Sequence, residues 1–320
     1  MLASFDIGAL GHSFWALTIS GLTYGSIYAL VAVGYTLVYG VLRLINFAHS
    51  EIFMLGTFGA LFATRWMHIP VLGDPRTGLS LVVTIVLVCL AGMAVSGVAA
   101  VVLERVAYRH LRRRGASRLT SLISAIGASL FLQEAVAIWR GRNYETFPRF
   151  LEKKTLFSVF GADVRTDKLI ILVAAILMMW ALERFIAHTR LGRGIRAVAQ
   201  SESTSILMGV NIDRVITLTF LLGGIMAGLA GSLNQIYYEQ TRFSIGVILG
   251  MKAFTAAVLG GIGNLRGALL GGLVLGVVES YGGAVFGASW RDVVAFVILV
   301  LVLMFRPTGL LGETMQKARA

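Results

Sequence analysis

Apolar positions along this 320-residue chain fall in long runs separated by short polar segments. The runs stand at about 14–42, 45–67, 79–103, 119–138, 169–186, 215–236, 247–263, 267–287 and 293–305. Several hold 20 or more residues, the length a helix needs to cross about 30 Å of hydrocarbon. The pattern predicts an all-α fold: a polytopic membrane helix bundle of eight to nine membrane segments, one domain over 1–320. The second and seventh runs are rich in Gly or polar residues and suit broken or re-entrant helices.

Composition narrows the class. Hydrophobic residues make up 57% of the chain and charged ones only 14%, against about 25% charged in an ordinary soluble domain. That balance excludes a disordered chain, a secreted disulfide scaffold and a typical cytosolic enzyme. The formal charge of +12 does not point to nucleic acid, because the basic residues cluster between apolar runs and not on a polar domain. Cys89 is the only cysteine and lies in an apolar run, so no intramolecular disulfide forms and a packing role is expected. The first fourteen residues carry no Lys or Arg, so the first run reads as an uncleaved span and not as a secretory signal.

Lys and Arg placement orients the bundle. With the N-terminus outside and every run crossing, sixteen of the 28 basic residues fall on the cytoplasmic side and eleven outside, leaving Lys252 within the membrane. The cytoplasmic set includes Arg43, Arg266, Arg306, Lys317, Arg319 and the arginines of RHLRRRGASR. Seven of the outer eleven share the segment 139–168 with four acids. Glycines four apart (Gly224 and Gly228, Gly267 and Gly271, Gly272 and Gly276) predict helices whose backbones approach closely in lipid.

Ionisable groups inside a membrane are costly, so each one needs an explanation. Lys252 and Glu279 flank the break GIGNLRG symmetrically. In an antiparallel hairpin they reach similar depth, about 20 Å from the turn. They either pair or face an aqueous path; alternatively Lys252 snorkels outward and Glu279 meets another helix. In the segment 45–51, Asn46 and Ser50 are candidate caps for a helix start, beside His49 and Glu51. A half-helix beginning there would aim a positive dipole end into the bundle, suited to a carboxylate; a water-facing cytoplasmic turn is the alternative. Five scattered histidines offer no metal-ligand spacing.

The polar segment 184–214 is expected on the cytoplasmic side. It contains an amphipathic stretch over 195–208, with Ile195, Val198, Ile206 and Met208 on one face and Arg196, Gln200 and Glu202 on the other. Such a helix docks a partner or lies on the lipid surface. Gly192-x-Gly194-x-x-Ala197 follows a charged helix end and not a strand, so it is no dinucleotide fingerprint. No Walker loop, H-E-x-x-H or G-x-S-x-G occurs, so any energy source is an ion gradient or another subunit.

Three stretches carry a resemblance. They are GLTYGSIYALVAVGYTLVYGVLRLINFAHSEIFMLG over 21–56, MKAFTAAVLGGIGNLRGALLGGLVLGVVE over 251–279 and FRPTGLLG over 305–312. Together they resemble the branched-chain amino acid ABC-importer permeases of the LivH type, over about 15–312. The resemblance implies a non-enzymatic transport subunit of a bacterial inner membrane, moving branched-chain or related amino acids inward. It also implies a homologous second permease, two cytoplasmic ATP-binding subunits that hold ATP and Mg, and an extracytoplasmic solute-binding protein; no cofactor is expected in this chain. The segment 184–214 resembles the family's ATPase-coupling loop, in which Arg196, Ala197, Gln200, Met208 and Gly209 occupy motif positions. Ser203, Thr204 and Ser205 stand where larger or Ala-rich residues are usual, and Ser50 stands where Gly usually follows the histidine. Asn46, His49, Glu51, Lys252 and Glu279 are the candidate substrate-pathway residues. Urea and short amides are alternative solutes, and a secondary transporter or channel without an ATPase is the alternative class.

Overall fold

A computed structural model describes residues 7–306 and 308–312. Lys317 and Arg319, counted above with the cytoplasmic charges, lie outside the described residues. Among the described residues, twelve α-helices run in chain order: α1 (Ile7–Leu42), α2 (His49–Trp66), α3 (Gly78–Leu103), α4 (Arg109–Arg113), α5 (Arg118–Arg140), α6 (Thr166–His188), α7 (Arg190–Gln200), α8 (Glu202–Leu207), α9 (Ile212–Tyr238), α10 (Ile245–Gly260), α11 (Leu265–Phe286) and α12 (Arg291–Phe305). A π-helical turn, Glu104–Tyr108, joins α3 to α4.

Among the described residues, seven helical stretches are long and apolar enough to cross a membrane, which gives fewer full spans than the eight to nine segments expected. The two runs expected to be broken account for the difference. α2 has 18 residues but carries His49, Ser50, Glu51 and Arg65, and α10 has only 16. All-helical is also not quite complete. Short strands β1 (Glu145–Thr146), β2 (Thr155–Val159), β3 (Ala162–Arg165) and β4 (Gln240–Thr241) form two antiparallel ladders, β1 with β4 and β2 with β3.

The ladders mark one end of the bundle. There Glu145 accepts from Arg140 Nε at 2.7 Å and from Arg65 Nη2 at 2.5 Å. Glu239 holds Arg149 and Lys153, each at 2.6 Å. Arg43, Arg112, Arg113 and Arg266 lie at the other end, on Ala199, Asp213 and Glu183. α9 has 27 residues, so it separates the two ends by about 40 Å. The two groups of basic residues therefore occupy opposite faces, as the charge pattern predicts.

The paired glycines sit at helix crossings. A Cβ at Gly224 would lie 2.7 Å from the Ser96 carbonyl oxygen, and one at Gly272 would lie 2.5 Å from Ala29 Cα. No side chain fits either gap, and such backbone approach supplies the packing that hydrophobicity cannot supply in lipid. α1, α9 and α11 form the centre, with α2 and α3 against α9. α5 and α12 are peripheral, and their apolar faces are turned outward at Leu130, Phe131 and Ile138 and at Val300, Met304 and Phe305. The motif at 305–312 folds back onto α10: the amides of Leu310 and Leu311 donate to the carbonyls of Leu259 and Gly260 at 2.8 and 3.0 Å, satisfying carbonyls a helix end leaves free.

Candidate functional site

α2 begins inside the bundle. The His49 ring packs against Gly34 and Gly223, with Gly223 placed 3.5 Å from His49 Cε1 when given a Cβ. Gly34 lies eight residues, about 12 Å of helix, before the end of α1. The chain leaves α1 at Arg43 and climbs back inward before α2 starts. Asn46, His49, Ser50 and Glu51 are all buried, Glu51 completely. The water-facing turn is therefore ruled out and the half-helix is what forms.

The capping expected from the sequence does not occur. The N-cap is Ala48, with no side-chain hydrogen bond. Asn46 Oδ1 instead accepts from Tyr108 Oη at 2.8 Å, and Ser50 Oγ donates back to the Phe47 carbonyl at 2.7 Å. Both polar groups are spent fixing the re-entrant segment. Nor is the positive end of α2 vacant for a foreign carboxylate, because the acid in its first turn is the chain's own Glu51.

The second short helix meets the first. Between α9 and α10 the chain dips into the bundle, where Thr241 Oγ1 lies 2.7 Å from Thr57 Oγ1 and both residues are buried. α10 then starts against α2. A Cβ at Gly246 would clash with the Ser50 carbonyl and lie 3.0 Å from Glu51 Oε2. Glu51 Oε1 accepts from Ser129 Oγ of α5 at 3.4 Å and lies 3.3 Å from Ser50 Oγ, whose proton goes chiefly to the nearer Phe47 carbonyl. Its Oε2 has no hydrogen-bond partner among the described residues. A buried carboxylate thus sits where two helix N-termini and α5 converge. Ser129 lies inside an apolar run, so sequence alone gave no signal for it.

Lys252 and Glu279 come together, Nζ to Oε1 at 2.7 Å. Lys252 is buried and does not snorkel outward. A third member was not expected: Asp292, at the start of α12, lies 2.6 Å from the same ammonium. Lys252 therefore ties α10 to both α11 and α12. This cluster and the Glu51 junction are separate sets of contacts along α10, Lys252 lying six residues after Gly246.

At the arginine-rich end the single amphipathic helix over 195–208 is not formed. Ser201 interrupts it, ending α7 and capping α8 through its side chain with the Thr204 amide at 3.3 Å. Ile195 and Val198 face the bundle, whereas Ile206 and Met208 are exposed, so the four do not share a face. Arg196 donates to the carbonyls of Ile186 and Ala187, closing the C-terminus of α6. Ala197 is half-buried and Gln200 exposed; Gly209 is exposed, and its φ of +79° makes the turn out of α8. Leu207, 85% exposed, and Met208, 80% exposed, form the apolar tip. Arg43 joins this region to α1, donating to the Ala199 carbonyl at 2.7 Å.

The chain is 44% identical over 299 residues to the high-affinity branched-chain amino acid transport system permease protein BraD of Pseudomonas aeruginosa, covering 92% of this chain and 94% of that one. It is 42% identical over 300 residues to the permease protein LivH of Escherichia coli K12, with the same coverage. It is also 25% identical over 309 residues to a probable LivH of Methanocaldococcus jannaschii, covering 93% and 92%. Among solved structures, PsaBC from Streptococcus pneumoniae in complex with Fab gives a TM-score of 0.45 at 11% identity over 94% of this chain and 95% of that one, a loose likeness. Residues 17–303 match the family described as branched-chain amino acid transport system / permease component, and this chain, a multi-pass membrane protein, belongs to that family.

Proposed function

We propose that this chain is a permease subunit of an ATP-driven importer that carries branched-chain or related amino acids across the bacterial inner membrane. Its partners would be a homologous second permease, two cytoplasmic ATP-binding subunits and an extracytoplasmic solute-binding protein. The observation that carries the proposal, beyond family membership, is the α7–α8 unit. It presents an apolar tip at Leu207 and Met208 and is tied to α1 through Arg43 and to α6 through Arg196.

A push on α8 from a closing ATPase dimer passes into α7, whose Ile195 and Val198 are seated in the bundle, and from there into α1 and α6. The re-entrant segment lies directly beyond α1. Asn46, His49 and Glu51 line the path where α2 and α10 begin, a place where irregular backbone is tolerated because protein or a water-filled cavity surrounds it. Lys252, through Glu279 and Asp292, holds α10 to α11 and α12 further along the helix while the path opens. Gln200, Met208 and Gly209 belong to the contact surface; Arg196 and Ala197 support it from behind.

Reconstitution of the full complex in proteoliposomes tests this. Leu207→Ser with Met208→Ser should leave basal ATP hydrolysis but abolish ATP-dependent uptake of leucine. Uptake by this chain without any ATPase subunit, or failure of an ATPase to co-purify with it in mild detergent, overturns the proposal. Uptake of urea in place of leucine would overturn the solute alone.

A further inference from the structure

A cleft of 570 Å³ opens between α3 and α5, lined only by apolar side chains. On α3 and the π-helical turn it runs from Ala94 to Ala107, and on α5 it is closed by Ala128, Phe131 and Leu132. That length of helix is about 20 Å, close to the roughly 15 Å depth of one hydrocarbon leaflet. A transmembrane helix of a partner would need a groove through the full thickness, and this one stops at Ala94.

The charge at the arginine-rich end of the cleft is specific. Of the arginines in the segment, Arg109 is held by Glu104 at 2.8 Å, and Arg112 and Arg113 are held by Asp213. Arg105 is exposed and forms no ion pair among the described residues. It follows Val98 and Val102 by seven and three positions, the spacing that places them on one helical face. Arg114, exposed at the end of α4, has no acidic partner among the described residues either. An apolar slot about one leaflet deep, with an uncompensated guanidinium beside its arginine-rich end, matches a molecule with a hydrocarbon tail and an anionic head.

We propose that this cleft binds an anionic phospholipid of the leaflet at the arginine-rich end, one acyl chain between α3 and α5 and the phosphate on Arg105. The site is separate from the Glu51 junction and does not depend on which solute is carried.

The test is native mass spectrometry of the full chain in mild detergent, titrated with phosphatidylglycerol, phosphatidylcholine or inorganic phosphate. Wild type should retain one phosphatidylglycerol in preference to phosphatidylcholine. Arg105→Gln should weaken that retention about fivefold, the equivalent of roughly 1 kcal/mol for one arginine at a membrane surface. Ala99→Trp or Ala128→Trp, which fill the slot from either wall, should abolish it while the chain keeps its helical circular dichroism. Equal retention of both lipids overturns the headgroup assignment. Retention unaffected by both tryptophans, or equally strong binding of inorganic phosphate alone, overturns the cleft. Crosslinks from Val98 to a second membrane subunit in the intact complex would show a protein occupant instead and also overturn it.

Discussion

Removing Lys252 should be far more damaging than removing either acid it holds. Its ammonium lies 2.7 Å from Glu279 and 2.6 Å from Asp292, and the side-chain exposures are 9% for Lys252, 6% for Glu279 and 48% for Asp292. Lys252→Met leaves the Glu279 carboxylate buried without a counter-charge, and its second oxygen already has no hydrogen-bond partner among the described residues. Breaking a buried pair from one side costs about 3–5 kcal/mol. Asp292 reaches water and adds little. Glu279→Gln is milder, because Lys252 keeps Asp292 and the amide oxygen still accepts; the loss is about 1.5 kcal/mol, the low end for a charge-assisted bond. The two single variants should therefore differ by about 1.5–3.5 kcal/mol, a factor of roughly 10–400 in the unfolding equilibrium. Lys252→Met with Glu279→Leu should recover to within about 1 kcal/mol of wild type, since apolar replacement of a buried pair is near neutral. The assay is denaturant titration in micelles, followed by the fluorescence of nearby Trp290. Swapping Lys252→Glu with Glu279→Lys, a rescue that a simple pair would allow, should fail because the new acid faces Asp292; adding Asp292→Asn should restore it. A Glu279→Gln variant as unstable as Lys252→Met, or a swap that succeeds with Asp292 intact, refutes the reasoning.

Three further outcomes are expected. Arg140, followed by Arg65, holds the Glu145 carboxyl below its ordinary 4.5. Its contribution to the β1–β4 ladder is thus complete above pH 4.5 and lost as pH falls through the folded-state value; Glu145→Gln should raise amide exchange at Phe147 at pH 7 and make no difference in strong acid. Tyr108→Phe leaves Asn46 Oδ1 without its donor, and should destabilise the chain by about 1–3 kcal/mol and increase labelling of a cysteine placed at position 47. Gly228→Leu drives a side chain into the Gly92 backbone of α3; loss of the folded species on size-exclusion chromatography checks it, and a normal elution profile would contradict the crossing.

The bundle was legible in the sequence because hydrocarbon imposes a length: each run of twenty apolar residues has one structural solution. The two exceptions, α2 and α10, were visible through His49, Ser50, Glu51 and the glycines of 247–263. Pairing of Lys252 with Glu279 followed from symmetry about the turn at 265. Asp292 did not, since it belongs to a third helix whose approach no local spacing encodes. The break at Ser201 was hidden for a different reason. Helical periodicity persists across it, and only the choice of Ser201 to cap α8, in place of continuing the helix, decides the outcome. Ser129 and Tyr108 gain their roles wholly from tertiary placement.

The contact of Arg65 and Arg140 with one Glu145 fastens the far ends of α2 and α5 together. Lower down, α5 meets α2 through the long Ser129–Glu51 contact. Any swing of α5 therefore turns about that fastening as a fulcrum. Ser129 stands eleven residues from Arg140 and the start of α5 twenty-two, about 17 and 33 Å of lever arm. The arginine-rich tip must sweep twice as far as the point that covers Glu51, so a small uncovering there is geared to a wide excursion at the start of α5.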